Sequence, residues 1–172
     1  MPDPTSTSFP ILTTERLKLR QLSENDAEEI FLLRSDTVIN KYLNRKPCET
    51  LNDAIEFIRK INQNSALSYW AITLKGSEKL MGTICLFGFS EELKKGEIGY
   101  ELLAEYQGQG IMIEATKKVT DYAFRTLKLK TIEAFTHKDN LSSTRLLQKL
   151  NFTETGIIDE TNPDLIMFQL SN

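Results

Sequence analysis

Two glycines, Gly108 and Gly110, immediately precede a helical pattern and are the clearest indication of a ligand-binding site in the sequence. Glycine lets the backbone curl until several N–H groups face one concavity, and a following helix adds its unpaired N–H groups and positive dipole end. Such a concavity binds phosphate groups, above all a pyrophosphate. A glycine pair before a helix is also a common plain turn, so the loop holds a phosphate ligand or none.

The familiar nucleotide motifs do not account for this loop. A P-loop needs a Gly-Lys-Ser/Thr sequence, which the chain lacks, and Ile113 stands where a dinucleotide fingerprint has its third glycine. Any phosphate ligand of the loop therefore belongs to another class.

Two carboxylates, Glu97 and Glu101, precede the glycines in a stretch with the pattern of a strand. Their even spacing places both side chains on one face of that strand. Either could take a proton from a reacting group, and either could be an ordinary solvated carboxylate. His137, the single histidine, follows another predicted strand, where a packing or surface role is the more usual one.

Hydrophobic periodicity predicts the elements that position these groups. Helical spacing follows the capping signals Ser23 with Asp26 and Thr50 with Asp53, and recurs after the glycines and over 143–150. Alternation indicates strands at 16–20, 69–74, 80–87, 97–103, 131–136, 152–158 and 165–170. This order predicts an α/β fold in which helices pack against a mixed sheet.

Length and composition suit one globular domain, since 40% of the 172 residues are hydrophobic and 26% are charged. We expect that domain over 13–172, behind a loose leader over 1–12 that contains prolines. No apolar run nears the roughly 18 residues of a membrane span, and the N-terminus lacks a signal-peptide pattern. These features favour a cytoplasmic protein without a membrane partner.

Net charge indicates the class of partner, and the cysteine count bears on disulfides and metal sites. The net charge is −3 and no long basic cluster occurs, which argues against a nucleic-acid partner and suits a cationic acceptor better. Cys48 and Cys85, with one histidine, predict neither a disulfide framework nor a metal site, and we expect both thiols to be unpaired.

Around the glycines the sequence resembles the acetyl-CoA signature of the GNAT superfamily of N-acetyltransferases, Gln/Arg-x-x-Gly-x-Gly/Ala. The matching residues are Gln107, Gly108, Gln109, Gly110 and Ile111, followed by Met112 at the final small position. The upstream Glu-Ile-Gly-Tyr at 97–100 looks like the strand before this loop in the RimJ/RimL-type branch, the ribosomal-protein N-terminal acetyltransferases. Downstream, 137–152 resembles the family's Asn-x-x-Ser element, with Asn151 replacing the usual glycine.

This resemblance implies a fold and an activity. The fold is a mixed, mostly antiparallel twisted sheet of about seven strands with helices on both faces. The activity is transfer of acetyl from acetyl-CoA to a primary amine, on a peptide N-terminus or a small molecule, without a metal. Direct transfer in a ternary complex is expected, because no recognisable nucleophile motif accompanies a histidine base. Whether the chain forms a homodimer is left open by the sequence.

The resemblance also implies residues that hold CoA. Backbone groups of Leu102 and Leu103 pair with the pantetheine arm, as if it were an extra strand. Asn140 bonds the arm from the other side, or merely caps the next helix. The pyrophosphate is held by the backbone N–H groups of Gln107, Gly108, Gln109, Gly110, Ile111 and Met112.

Catalytic roles follow in the same way. Glu97 lies where lysine-modifying relatives carry a glutamate base, whereas Glu101 is nearer the thioester. Leu147 occupies the position of the tyrosine that many members use as the acid. In the RimL-like branch a serine in the Asn-x-x-Ser element is the proposed donor, which points to Ser143, unless Ser143 is only a first-turn helix residue. The N–H of Leu102 or Leu103 meets the oxyanion.

Two other functions remain open on the sequence: a catalytically idle acyl-CoA sensor or interaction module, and a dimer-forming domain without a ligand. Trp70, Tyr42 and the segment 31–43 are expected on the acceptor side, with the core as the alternative.

Overall fold

The computed structural model describes residues 8–172, and residues 1–7 of the expected leader lie outside them. Phe9 meets Trp70 edge to face with ring centroids 5.9 Å apart, and the Pro10 carbonyl accepts a 2.8 Å hydrogen bond from Trp70 Nε1. The boundary between leader and domain at residue 13 stays a prediction.

The chain forms eight strands and four helices within the described residues. The strands are β1 (Leu12–Thr13), β2 (Leu17–Gln21), β3 (Ser68–Leu74), β4 (Leu80–Ser90), β5 (Lys95–Leu102), β6 (Thr131–His137), β7 (Thr153–Ile158) and β8 (Leu165–Ser171). The helices are α1 (Ala27–Ser35), α2 (Leu51–Gln63), α3 (Ile111–Arg125) and α4 (Leu141–Lys149). The predicted order is confirmed, and the strand that periodicity missed is the two-residue β1.

All eight strands form one sheet in the order β1-β2-β3-β4-β5-β6-β8-β7. Only β5 and β6 pair in parallel, and every other pair is antiparallel. The predicted mixed, mostly antiparallel sheet is therefore confirmed, and its single parallel pair marks the place where α3 crosses from β5 to β6.

Helices cover both faces of the sheet, as predicted. One buried cluster joins Ile111, Val119 and Leu147 of α3 and α4 to strand residues such as Ile98. A second cluster joins α1 and α2 to Ala71, Leu80 and Leu103. Consecutive strand residues point to opposite faces, so β5 sends Tyr100 toward α3 and α4 and Glu101 toward α1 and α2.

Both predicted capping signals are formed. Thr50 Oγ1 accepts from the Asp53 N–H, and the Asp53 carboxylate accepts from the Thr50 N–H, at the start of α2. Ser23 and Asp26 make the same reciprocal pair, which opens a 3-10 turn at Glu24–Asp26 before α1 begins at Ala27.

Helix α4 begins at Leu141, earlier than the predicted start at 143. The reason is Asn140, whose side chain accepts from the Ser143 N–H at 3.2 Å and so caps the helix. At its other end, Asn151 adopts φ 65°, a left-handed conformation that asparagine tolerates better than most residues. This backbone requirement explains why asparagine can stand in the place of a glycine.

Candidate active site

A cleft opens in the sheet between β5 and β6. Their parallel pairing ends at Glu97 opposite Glu133, although β5 continues to Leu102 and β6 to His137. The two strands separate beyond that point, and the cavity measures about 910 Å³. Of the predicted site residues, the following line it: Glu101, Leu102, Gln107, Gly108, Gly110, Ile111, Met112, Asn140 and Ser143.

The β5 edge of the cleft offers backbone groups. The Leu103 N–H donates to the Met81 carbonyl at 2.9 Å, and bonded and non-bonded pairs alternate along an antiparallel ladder. Leu102, opposite Gly82, is therefore a non-bonded position whose N–H and C=O face the cleft. Its carbonyl accepts from Gln107 Nε2 at 3.0 Å, which leaves the N–H for a ligand. Leu103 turns its N–H toward β4 and does not line the cavity.

The glycine loop forms a concavity of N–H groups at one end of the cleft. Gly108 and Gly110 adopt φ 74° and 75°, and α3 begins immediately after them at Ile111. The Gln107 N–H is not part of the concavity, because it donates to the Ala104 carbonyl. No group in residues 8–172 accepts from the N–H groups of Gly108, Gln109, Gly110, Ile111 and Met112.

Arg16, the residue before β2, holds this loop in place. Its Nη1 donates to the Gln109 carbonyl at 3.1 Å, and its Nε pairs with the Glu114 carboxylate at 2.7 Å. The Gln109 side chain turns away from the cavity and donates to the Glu105 carbonyl. Free N–H groups at a helix start, with a guanidinium behind them, fit a pyrophosphate.

Ser143 lies across the cleft from β5, in the first turn of α4. Its Oγ is 2.8 Å from Tyr100 Oη, and its N–H donates to Asn140. Burial raises the pKa of Tyr100 to about 12, so the phenol is protonated at neutral pH. Asn140 caps the helix through its side-chain oxygen, and its amide nitrogen makes no hydrogen bond to the described residues, so capping does not prevent contact with a ligand.

The two candidate bases differ in their surroundings. Glu101 lines the cleft but forms an ion pair with Arg45, and both side chains are largely buried. Glu97 is half-buried outside the cavity wall, and its pKa is raised by burial and by the nearby Glu133 carboxylate. Lys95 opposes this shift while pairing with Glu133 at 2.9 Å. Glu97 therefore holds a proton more tightly than an ordinary glutamate, and Glu101 is already engaged by a cation.

The wall on the α1 and α2 side includes residues that the sequence left open. Tyr42 lines the cleft and stacks on His137 with ring centroids 4.8 Å apart. His137 also lines the cleft, and its Nδ1 accepts from the Asp139 N–H in the turn after β6. The expected acceptor role of Trp70 is wrong, because the indole is fully buried in the core between Phe9 and Tyr122.

Potential metal ligands and thiols are scattered over the part of the chain that the structure describes. Within 8–172, no group of three or more histidine, cysteine, aspartate or glutamate side chains could hold a metal ion. Cys48 and Cys85 are both free thiols, as predicted. No helix in this part of the chain is long and apolar enough to cross a membrane.

Residues 16–153 match the acetyltransferase (GNAT) domain family. The chain belongs to this family. It is accordingly an acetyl-CoA-dependent N-acetyltransferase, and neither an idle binding module nor a domain without a ligand is favoured.

Relatives agree with this assignment over most of the chain. The uncharacterised N-acetyltransferase YoaA of Bacillus subtilis is 35% identical over 153 residues, covering 87% of this chain and 86% of YoaA. YdaF of the same organism, provisionally named a ribosomal N-acetyltransferase, is 24% identical over 94% of each chain. The structure of a spermidine N-acetyltransferase from Vibrio cholerae, in complex with CoA and spermine, matches with TM-score 0.78 at 22% identity, covering 92% and 96%. At 22% identity, this similarity shows that the two proteins share a fold.

Proposed function

We propose that this acetyltransferase of the RimJ/RimL-like branch moves acetyl directly from acetyl-CoA to a primary amine while both substrates are bound. The proposal rests on the cleft, because unpaired N–H groups converge at one end of it to bind a phosphate ligand. Tyr42 lines another wall, where an acceptor can bind. Neither cysteine lines it. Burial raises the pKa of Cys85 to about 12, which keeps this thiol protonated and unsuited to forming an acyl-enzyme.

Each wall of the cleft supplies one part of the CoA site. The Asn140 amide holds the pantetheine arm from the α4 side, and the Leu102 N–H faces the thioester end of the arm from β5. The N–H groups of Gly108, Gln109, Gly110, Ile111 and Met112 hold the pyrophosphate. Gln107 contributes through its side chain, which fixes the Leu102 carbonyl, rather than through its N–H.

The reaction forms an N–C bond and breaks a C–S bond. The amine nitrogen attacks the thioester carbonyl, and the Leu102 N–H stabilises the resulting oxyanion. As the C–S bond breaks, its electron pair passes to sulfur, which takes the hydroxyl proton of Ser143. The proton lost by nitrogen passes through water to Glu97, and exchange with water restores Glu97 and Ser143. We assign Glu101, paired with Arg45, to fixing the acceptor wall.

The acceptor is a primary amine on a peptide N-terminus or a small molecule. An α-amine with a pKa near 8 is about one tenth neutral at pH 7, so it needs only a modest base such as Glu97. The name of YdaF supports the first kind of acceptor, and the spermidine N(1)-acetyltransferase of Escherichia coli, 23% identical over 81% of this chain, supports the second.

An acceptor screen tests this proposal. Acetyl-CoA is incubated with N-terminal peptides, free lysine, polyamines and aminoglycosides, and thiol release is compared with hydrolysis alone. In parallel, CoA at 100 times its Kd should stabilise the fold by about 2.7 kcal/mol. Stabilisation by CoA without thiol release for any amine would instead support a sensor of acyl-CoA.

Glu97→Gln should lower turnover and raise stability at neutral pH. The folded-state pKa of Glu97 is raised, so the stability cost of ionising it is absent at low pH and present above that pKa. The variant should therefore melt higher than the parent at pH 7 and equally at about pH 4. Turnover of the parent should fall as the pH drops through the raised pKa, and the variant should lose this dependence. Unchanged turnover and pH profile would remove Glu97 as the base.

A further inference from the structure

The contact between Tyr100 and Ser143 joins two elements that are distant in sequence. Tyr100 comes from the β5 wall of the cleft and Ser143 from α4, and both line the cavity. Their hydroxyl oxygens are 2.8 Å apart, the usual distance for an O–H···O hydrogen bond. Sequence patterns assigned no role to Tyr100.

The chemistry of the two hydroxyls determines which one donates. A phenol is a stronger acid than an alcohol and hence the better donor, whereas the alcohol oxygen is the better acceptor. No other group in residues 8–172 bonds the Ser143 hydroxyl. With the Tyr100 hydrogen directed to Ser143 Oγ, the single hydroxyl hydrogen of Ser143 remains free for the cleft.

The face of α4 on which Ser143 lies is also informative. Ser143 and Leu147 are four residues apart, so they share one face of the helix. The resemblance to the family puts Leu147 where many members carry a tyrosine acid, and its side chain is fully buried. A phenol nevertheless reaches the same helix face, because β5 supplies Tyr100 from the sheet.

We propose that Tyr100 is a positioning residue, whose hydroxyl donates to Ser143 Oγ and directs the Ser143 hydrogen toward the departing sulfur. The inference rests on the proposed role of Ser143 as the proton donor. A hydrogen bond accepted by an alcohol also polarises its own O–H and makes it a better donor. The raised pKa of Tyr100 keeps the phenol available as a donor across the neutral range.

A double-mutant cycle measures this dependence. Tyr100→Phe keeps the ring and should lower kcat by about tenfold, with KM for acetyl-CoA changed less than about twofold. In the Ser143→Ala background the same change should have almost no effect, because the group through which Tyr100 acts is gone. An equal loss in both backgrounds, or an unchanged kcat for Tyr100→Phe, would overturn the proposal.

A second measurement does not depend on turnover. The thiol pKa of bound CoA is followed by thiolate absorbance, with the complex of desulfo-CoA as the blank. Ser143→Ala should raise that pKa by about one unit and Tyr100→Phe by about half a unit, because each removes support for the thiolate. The same pKa in all three proteins would overturn the proposal, even if acetyl transfer itself were not observed.

Tyr69→Phe is the matched control for both measurements. Its hydroxyl lies 3.3 Å from Thr83 Oγ1, a similar pair in the same sheet, and neither residue lines the cleft. The control should keep the parent kcat and the parent thiol pKa. A loss equal to that of Tyr100→Phe would show that removing any buried phenol hydroxyl impairs the enzyme, and would count against a specific role for Tyr100.

Discussion

Gly110→Val should weaken CoA binding by about 100-fold, which corresponds to about 2.7 kcal/mol. Gly110 adopts φ 75° as the residue before α3, and a β-branched side chain strongly disfavours this conformation. Relaxation of the loop toward negative φ would turn the surrounding N–H groups away from one another. An added Cβ would lie 3.5 Å from Arg16 Nη2, an ordinary contact, so backbone conformation rather than a clash causes the effect.

Gly76→Val separates loss of ligand binding from backbone strain. Gly76 has φ 80° and open space around an added Cβ, but it lies in the turn between β3 and β4, away from the cleft. Both variants should lose a similar amount of stability, on the order of 1–3 kcal/mol. Calorimetric titration with CoA should then distinguish them, since only Gly110→Val should lose affinity. Equal CoA affinity in the two variants would make the Gly108 to Gly110 loop a plain structural turn.

Local signals in the sequence predicted the frame of the site well. The capping pair of Thr50 and Asp53 depends on residues three apart, and periodicity placed Glu97 and Glu101 on one face of β5. The turn of Gly108 and Gly110 is also local, because it depends on what glycine alone tolerates. Such features need no knowledge of distant parts of the chain.

Pairings between distant residues could not be predicted in this way. Periodicity puts Trp70 on one face of β3, but it cannot tell that α3 rather than an acceptor covers that face. Neither can it show that Arg45, in the segment between α1 and α2, neutralises Glu101. The sequence likewise does not show which residues of β5 bond to β4, because that depends on the register of the two strands. This register directs the N–H of Leu103 toward β4 and the N–H of Leu102 toward the cleft.

Tyr100 shows where a stronger inference from sequence was available. Alternation along β5 places it on the face opposite Glu101, the face against which α3 and α4 pack. A tyrosine on that face, with none at position 147, indicates that the sheet supplies the phenol. The contact with Ser143 still required the tertiary structure, because it depends on how α4 lies across the cleft.

Ser143→Ala should lower kcat by about 100-fold while CoA binding stays near that of the parent. The effect should fall at the low end for a positioned acid, since a thiolate whose conjugate acid has a pKa near 8.5 is already a fair leaving group. The cap of α4 should survive, because Asn140 accepts from the backbone N–H of residue 143, which alanine retains. The cap therefore costs no stability, and only the lost hydrogen bond to Tyr100, about 1 kcal/mol, should lower the melting temperature.

Thr144→Val is the matched control for this prediction. Thr144 follows Ser143 on α4, its buried hydroxyl has no hydrogen-bond partner within 8–172, and it does not line the cleft. Removing that hydroxyl should leave kcat unchanged and should not lower the melting temperature, because no bond is lost. Turnover and melting temperature are measured on the same preparation of each variant. Normal turnover of Ser143→Ala with a lowered melting temperature would assign Ser143 to helix stability and leave the leaving thiolate to be protonated by water.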